Sequence, residues 1–165
     1  MESIILNETA SDLKIRRMAN QILEHNFNEA AVMLVGIDSC GLQLAQALAK
    51  HILADSGSVV PVFSLKLNKQ NPALSTIKSN INATQTENAV VIVVDDVQNT
   101  GRTMMYACAY FLSLNVKSIQ SAVLIDRRHN TFPVRADYIG LSLATMLQDH
   151  VEVVETDKGF VALLK

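Results

Sequence analysis

The sequence predicts an α/β fold with a mostly parallel, twisted sheet flanked by helices. Two short apolar runs rich in β-branched residues, Val32–Ile37 and Ala89–Val94, are each followed by a polar turn and a helical run. Apolar runs of this length favour strands that are buried on both faces, as in a parallel sheet. The chain therefore repeats one strand–turn–helix unit.

Composition limits the classes of protein to which the chain can belong. It has 165 residues, 49% of them apolar, a formal net charge of −2 and a pI near 6.0. This predicts one domain, residues 1–165, with a single sizeable core and no general disorder. The acidic balance argues against a general nucleic-acid binder, although it is compatible with a local basic patch.

The cysteines and the apolar segments predict a reduced, cytoplasmic protein without a membrane partner. Cys40 and Cys108 show no metal-ligand spacing. The N-terminus lacks the pattern of a signal peptide. No stretch approaches the ~20 apolar residues that are needed to span a bilayer.

The first helix is predicted from about Ser11 to Asn26, with Ser11 or Asp12 as its cap. Its apolar stripe consists of Ile15, Met18, Ala19 and Ile22. Arg16 and Arg17 lie off this stripe. We expect them to be solvated, and a contact with a partner is the alternative.

The pattern predicts the remaining elements by the same criteria. The predicted helices are Leu42–Leu53 and Met104–Leu114; the predicted strands are Val59–Leu67, Ser118–Ile125 and Tyr138–Leu143, and a terminal hairpin joins Val151–Glu155 to Phe160–Leu164. A polar stretch, Lys66–Glu87, is rich in Asn, Ser and Thr and is interrupted by Pro72, which predicts a mobile connection.

The stretch Ala89–Thr103 carries the strongest functional pattern. Asp95 and Asp96 follow the strand directly, and a short polar turn ends at Gly101 before the next helix. Backbone N–H groups and threonine hydroxyls at a helix start can bind a phosphate, and glycine lets the backbone approach it closely. Carboxylates accept hydrogen bonds, which suits ribose hydroxyls. The stretch therefore predicts a sugar-phosphate site.

This stretch has two alternatives to a sugar-phosphate site: a receiver domain, and a turn that binds no ligand. A receiver domain also has an acidic pair after a buried strand, but it needs about 120 residues in which that strand comes first. Too little chain follows Asp96 for that fold. The other alternative, an acidic turn and a capped helix without a ligand, stays open.

Two further turns are candidates for the same edge of the sheet. Asp38–Gly41 offers small residues and free N–H groups for an anion, and an ordinary strand-to-helix turn is an equal alternative. Asp126–His129 follows another strand, where ligands of open α/β sheets bind. His129 by itself is more typical of a surface histidine.

The segment Asp95–Thr103 resembles the signature with which type I phosphoribosyltransferases bind phosphoribosyl pyrophosphate (PRPP). Three further segments resemble the PyrR family of pyrimidine operon attenuators and uracil phosphoribosyltransferases. They are Leu34–Ile37 with Gly41, Ala122–Arg127 with His129, and Pro133–Gly140; the helical Ile15-Arg16-Arg17 is similar as well. The resemblance covers nearly the whole chain.

The resemblance implies a type I phosphoribosyltransferase fold with a small hood formed by the N-terminal and C-terminal segments. It implies transfer of phosphoribose from PRPP, with Mg²⁺, to uracil. The implied 5′-phosphate residues are Val97, Gln98, Asn99, Thr100, Gly101, Arg102 and Thr103; the implied catalytic residues are Asp95, Asp96 and Lys69. The implied pyrophosphate turn is Asp38, Ser39, Cys40 and Gly41, and the implied base-binding residues are Asp126, Arg127, Tyr138, Ile139 and Gly140.

The chain departs from the family pattern mainly where pyrophosphate is expected to bind. Cys40 replaces a basic residue, and Asp38 adds a negative charge, which disfavours a polyanion. Lys69-Gln70-Asn71 stands where the family has an arginine and two acids, and lysine lacks the rigid fork of arginine. The other departures are Gln98-Asn99 for an apolar-aromatic pair, Arg128 for glycine and Asn130 for a basic residue.

Three functional hypotheses result. The first is an enzyme that forms UMP and pyrophosphate from uracil and PRPP. The second is a catalytically weak UMP or PRPP sensor with an RNA or protein partner, although the acidic pI and Asn130 argue against RNA. The third is a degenerate subunit. The helix Met104–Leu114 is apolar nearly all round, which predicts burial in the core or at a subunit contact, and so a homodimer or larger homo-oligomer.

Overall fold

A six-stranded sheet forms the centre of the protein in the computed structural model, which describes residues 3–74, 76–146 and 148–165. Its strand order is β4-β3-β2-β5-β6-β7, and every neighbouring pair is parallel except β4 with β3. The strands are β2 (Val32–Ile37), β3 (Val62–Lys66), β4 (Lys78–Ser79), β5 (Val90–Gln98), β6 (Ser118–Asp126) and β7 (Tyr138–Ser142). The predicted mostly parallel α/β fold is confirmed.

Helices cover both faces of this sheet. They are α1 (Glu8–His25), α2 (Asp38–Ser56), α3 (Ala83–Thr86) and α4 (Arg102–Leu112), with a 3₁₀ turn at Pro72–Leu74. Strand β5 shows how the layers are built, because its buried side chains alternate between two clusters. Val90, Ile92 and Val94 pack with α1 and α2, whereas Val91 and Val93 pack with α4. This burial on both faces explains the continuous apolar run.

A second, antiparallel sheet joins the two ends of the described chain. It contains β1 (Ser3–Leu6), β9 (Gly159–Leu164) and β8 (Val151–Thr156), in the order β1-β9-β8. The predicted terminal hairpin is β8 and β9. Strand β1 was not predicted, because four residues are too few to show a period by themselves. Val153 and Phe160 belong to the α1 and α2 side of the core, so the small sheet is packed on that face.

Two helix starts differ from the prediction. Asn7, not Ser11 or Asp12, caps α1: its Oδ1 accepts a hydrogen bond from Ala10 N at 2.9 Å. Helix α2 begins at Asp38 instead of Leu42, so the predicted turn Asp38–Gly41 is its first turn. Asp38 has a φ of 53°, in the left-handed region. A single non-glycine residue with positive φ is uncommon, and such strain is concentrated at functional sites.

The polar stretch Lys66–Glu87 contains more regular structure than was predicted. The 3₁₀ turn, β4 and α3 all lie in it, and Asn82 and Gln85 form a capping box at the start of α3. Ser75, in the same stretch, lies outside the described residues. The mobility of this connection stays a prediction.

The packing of α4 bears on the predicted subunit contact. Helix α4 buries one face against the sheet through Met104, Ala107 and Phe111, while Met105 and Leu112 are exposed. The exposed face leaves the prediction of a subunit contact open.

Among the described residues, no helix combines the length and apolar character that a membrane crossing requires.

Arg17 is exposed, as predicted, but its guanidinium also binds the backbone of a neighbouring strand, which the sequence did not indicate. Its Nη2 donates hydrogen bonds to the carbonyl oxygens of Ile139 and Gly140, at 2.6 and 2.7 Å. These carbonyls belong to β7, which is an edge strand of the central sheet. The guanidinium therefore satisfies acceptors on that strand and ties α1 to it. Arg16 instead pairs with Asp55 of α2.

We expect Arg17→Ala to lower the free energy of unfolding by about 1–3 kcal/mol, because two carbonyls lose a charged donor. Urea unfolding followed by circular dichroism measures the change. Arg16→Ala is the matched control in the adjacent position. It should cost less, because Asp55 keeps access to water when Arg16 is removed, whereas Gly140 is a buried residue. Equal losses in the two variants would contradict the assigned role of Arg17.

Candidate functional site

A cleft of about 740 Å³ opens at the carboxyl end of β5. The strand is longer than predicted: it continues through Asp95 and Asp96 to Gln98, because its last residues still pair with β6. One wall is the continuous segment from Asp95 to Met104, which runs from the strand into the first turn of α4. The other lining residues come from four separate places: Lys69, Tyr106, Thr131-Phe132 and His150–Glu152. The structure thus brings the predicted acidic pair, the predicted phosphate segment and Lys69 together around one cavity.

The acidic pair is held by a lysine. The Asp95 side chain is almost fully buried, and Lys69 Nζ lies 2.8 Å from Asp95 Oδ1 and 3.6 Å from Asp96 Oδ1. The backbone N–H of Asp96 donates to Asp95 Oδ1 at 3.0 Å. Asp95 is therefore fixed by an ion pair with Lys69 and by the backbone N–H of the next residue. Asp96 is the more accessible of the two carboxylates.

Burial and charge oppose each other in this cluster. Burial raises the pKa of Asp95; Lys69 lowers it, and the neighbouring Asp96 raises it again, with a net upward shift. Burial disfavours the charged form of Lys69, but the attraction of Asp95 and Asp96 outweighs burial, so the pKa of Lys69 is raised. Lys69 therefore carries its positive charge at neutral pH.

The predicted phosphate segment has the geometry that an anion needs. Gly101 caps α4 at a φ of 81° and has no side chain that could accept from the first-turn N–H groups, which leaves such groups for an anion. The Arg102 N–H is the exception, because it donates to Thr100 Oγ1 at 3.3 Å. Thr100 braces the turn: its carbonyl accepts hydrogen bonds from the N–H groups of Thr131 and Phe132 at 3.0 and 3.1 Å. An added Cβ at Gly101 would lie 2.6 Å from Val134 Cγ1, so a larger residue does not fit.

The predicted pyrophosphate turn borders the acidic pair without lining the cleft. At Gly41, an added Cβ would lie 2.5 Å from the carbonyl oxygen of Val94, so only glycine lets α2 begin this close to β5. Asp38 attracts the Lys69 ammonium electrostatically. Burial and the nearby Asp96 carboxylate raise the pKa of the Cys40 thiol. The turn therefore adds negative charge and a neutral thiol to this side of the site.

The residues predicted to bind the base do not line the cleft. Arg127 is buried behind it and binds both sides of the site: Nη1 donates to Asn99 Oδ1 at 2.8 Å, and Nη2 donates to the carbonyls of Met146 and Asp149 at 3.0 and 2.7 Å. Asp126 is buried at the end of β6. Base contact by these residues stays a prediction, but Arg127 clearly joins the phosphate segment to the chain before β8.

The other three predicted base-binding residues lie in β7, together with Arg17. The Tyr138 ring is buried, and its hydroxyl donates to Gln120 Oε1 at 2.7 Å. The Gly140 backbone packs against the Leu124 carbonyl. The carbonyls of Ile139 and Gly140 accept from Arg17. The side chains and carbonyls of these residues are thus used within the fold.

Sequence reasoning missed the far wall of the cleft. His150, Val151 and Glu152 line it from the start of β8, and Glu152 forms an ion pair with Lys165. The sequence predicts the β8–β9 hairpin but contains no local signal for what the hairpin faces. His129 is not a free surface histidine. Its Nε2 lies 2.7 Å from the Thr145 carbonyl oxygen, so it contacts the chain that leads into β8. Arg128, which stands where the family has glycine, has a φ of 56°.

Comparison with known proteins shows the family. Residues 2–157 match the model of the phosphoribosyl transferase domain, so the chain belongs to this family. It is 36% identical to a bifunctional protein PyrR of Alkaliphilus metalliredigens, over 99% of this chain and 95% of that protein. It is also 36% identical to a bifunctional protein PyrR of a Thermoanaerobacter species, over 93% and 92% of the two chains. The predicted resemblance to type I phosphoribosyltransferases of the PyrR kind is confirmed.

Solved structures confirm the fold. A hypoxanthine-guanine phosphoribosyltransferase of Bacillus anthracis aligns with a TM-score of 0.76 over 99% of each chain, at 17% identity. The hypoxanthine phosphoribosyltransferase of Trypanosoma cruzi aligns with a TM-score of 0.77 over 97% of this chain and 95% of that one, at 15% identity. At such identities the likeness concerns the fold, and the base stays undecided.

We expect Gly101→Ala to weaken binding of ribose 5-phosphate about tenfold or more, which is 1.4 kcal/mol or more. The new Cβ would press on Val134 and distort the turn that presents the N–H groups. Isothermal titration calorimetry measures the affinity.

Gly57→Ala is the matched control for this variant. Gly57 also has a left-handed φ, of 72°, but an added Cβ there would meet nothing within 4 Å. Both variants strain the backbone by about 1–2 kcal/mol, yet only Gly101→Ala should change the affinity. A loss of affinity in both variants would show that strain alone explains it.

Proposed function

We propose that this protein binds PRPP and transfers its phosphoribosyl group to uracil, which forms UMP and pyrophosphate. The observation that carries the proposal is the meeting of the acidic pair and the N-terminal turn of α4 in one cleft. The names of the PyrR relatives support a pyrimidine context, whereas the fold neighbours act on purines by their names. The choice of uracil must therefore be tested by comparing it with purine bases as substrates.

The chain's own residues would act mainly by positioning and by electrostatics. The N–H groups between Val97 and Thr103 would anchor the 5′-phosphate, and Asp96 with Asp95 would accept hydrogen bonds from the ribose hydroxyls. Two carboxylates beside the ribose also favour positive charge as the bond to pyrophosphate lengthens. Arg127 would act as a positioning residue, because it holds the phosphate segment and the chain before β8 at a fixed distance.

The site fits a Mg²⁺ ion that arrives with PRPP better than a resident metal. Among the described residues no group of three or more His, Cys, Asp or Glu side chains is arranged to hold a metal. One or two carboxylates together with substrate phosphates are a common set of ligands for Mg²⁺. Asp95 and Asp96 would provide these carboxylates, and the ion would supply charge neutralisation for the departing pyrophosphate.

The test measures nucleotide formation with PRPP and Mg²⁺ in three parallel assays, which contain radiolabelled uracil, hypoxanthine or guanine. We expect UMP as the only nucleotide formed in these assays. We also expect loss of turnover in Asp96→Asn, because the site loses a negative charge and one of the two carboxylate oxygens that can accept from the ribose hydroxyls. Calorimetry of the folded variant with UMP separates lost turnover from lost binding. No UMP above background from folded wild-type protein, or a purine nucleotide instead, would refute the proposal.

A second candidate is a nucleotide-responsive regulator that binds UMP and turns over slowly. The observation that favours it is the charge on the pyrophosphate side of the site. Asp38 adds a carboxylate there, and Cys40 offers no cation. Calorimetry discriminates: tight UMP binding with weak PRPP binding supports the regulator. Its RNA form further requires binding to a pyrimidine-leader hairpin that weakens as salt increases, because phosphate contacts release counterions.

We expect Cys40→Arg to strengthen PRPP binding about tenfold, because an arginine restores a cation that pairs with pyrophosphate. Affinity for UMP should stay unchanged, since UMP has no pyrophosphate. Calorimetry with both ligands measures the difference, and Cys40→Ser is the control for loss of the thiol without gain of charge. An equal gain for UMP and PRPP would show a general charge effect instead.

A further inference from the structure

We infer that Lys69 is a built-in counter-cation of the acidic pair, and that its ammonium group and a divalent cation are alternative occupants of the position beside Asp95 and Asp96. The inference rests on the proposed function in one respect only, which is that a sugar ligand brings the divalent cation to the site. It assigns Lys69 a role that differs from the contact to pyrophosphate expected for a loop arginine. Lys69 would have to leave the carboxylates before ribose or metal reached them.

The backbone around Lys69 presents its side chain to the acids. Leu67 is buried in the core and anchors the segment on one side. Asn68 Oδ1 accepts hydrogen bonds from the N–H groups of Gln70 and Asn71, at 3.0 and 3.2 Å. This turn closes the backbone on either side of Lys69, so its side chain projects from a constrained point toward Asp95. The Lys69 side chain therefore reaches Asp95 from a hydrogen-bonded turn.

The charges explain why the ammonium is held there. Asp38, Asp95 and Asp96 all attract it, so three carboxylates share one cation. Among the described residues that line the cleft, Lys69 and Arg102 are the permanent cations, and only Lys69 is in contact with the acids. A divalent cation at the same carboxylates would repel the ammonium, since like charges in a partly buried site interact strongly.

The contact also changes what a ligand must do to bind. Asp95 Oδ1 already accepts from Lys69 and from the Asp96 N–H, so a ribose hydroxyl competes for an occupied acceptor. A ligand that carries its own divalent cation can replace the charge that Lys69 supplies. A sugar phosphate without a cation would leave two carboxylates uncompensated if Lys69 withdrew. Lys69 thus selects for the metal-loaded ligand.

The experiment measures Mn²⁺ binding to the free protein by electron paramagnetic resonance, with no nucleotide or sugar present. We expect Lys69→Ala to bind Mn²⁺ about tenfold more tightly than wild type, or more, because its carboxylates are released. Lys66→Ala is the matched control: Lys66 is exposed on β3 and does not line the cleft, so wild-type affinity is expected. Adding Asp95→Asn to Lys69→Ala should abolish the gain.

Two results would overturn the inference. One is Mn²⁺ affinity of folded Lys69→Ala within about twofold of wild type. The other is a gain that survives in the double variant, which would place the metal elsewhere. Lys69→Gln, of similar length, repeats the measurement if the alanine variant does not fold. Because the titration contains neither PRPP nor uracil, a protein that makes no UMP can still show the gain, and an active enzyme can fail to show it.

Discussion

The burial of β5 on both faces is the constraint on which the rest of the structure depends. Its side chains alternate between the core under α1 and α2 and the core under α4, so the strand cannot shift without exposing one of them. This fixes the register of the strand, and with it the position of Asp95 in its carboxyl-terminal half. A nearly buried carboxylate at that point needs a counter-charge, which Lys69 supplies from a turn more than twenty residues earlier in the chain.

Close backbone packing carries this constraint into the site. Gly41 lets the first turn of α2 lie directly on the Val94 carbonyl, and Gly101 lets the start of α4 lie against Val134. Two helix N-termini therefore converge on the end of one strand, which concentrates positive backbone dipoles there. The carboxylates of Asp38, Asp95 and Asp96 oppose that field. The site is thus a balance between anion-binding amides and acids, and Lys69 and any ligand-borne cation act on that balance.

The wall of the cleft at the start of β8 depends on Arg127. Its guanidinium reaches Asn99 in the phosphate segment and the carbonyls of Met146 and Asp149 near the start of β8. Asn99 is one of the positions at which the chain departs from the family pattern, and here its amide oxygen is a partner of Arg127. This departure from the family pattern is therefore part of the connection between the two walls of the cleft.

The sequence by itself determined the longer strands, their parallel arrangement and the phosphate segment, because short apolar runs, acids and glycines are local signals of backbone geometry. The short strands β1 and β4 carried no such signal. The sequence also led to the family, since the resemblance extends over nearly the whole chain. Only the tertiary structure decided that Lys69 lies on Asp95, that Arg17 binds β7 and that His150–Glu152 face the phosphate segment. These contacts join residues far apart in sequence, and their distances depend on how helices and sheets pack, which no local pattern encodes.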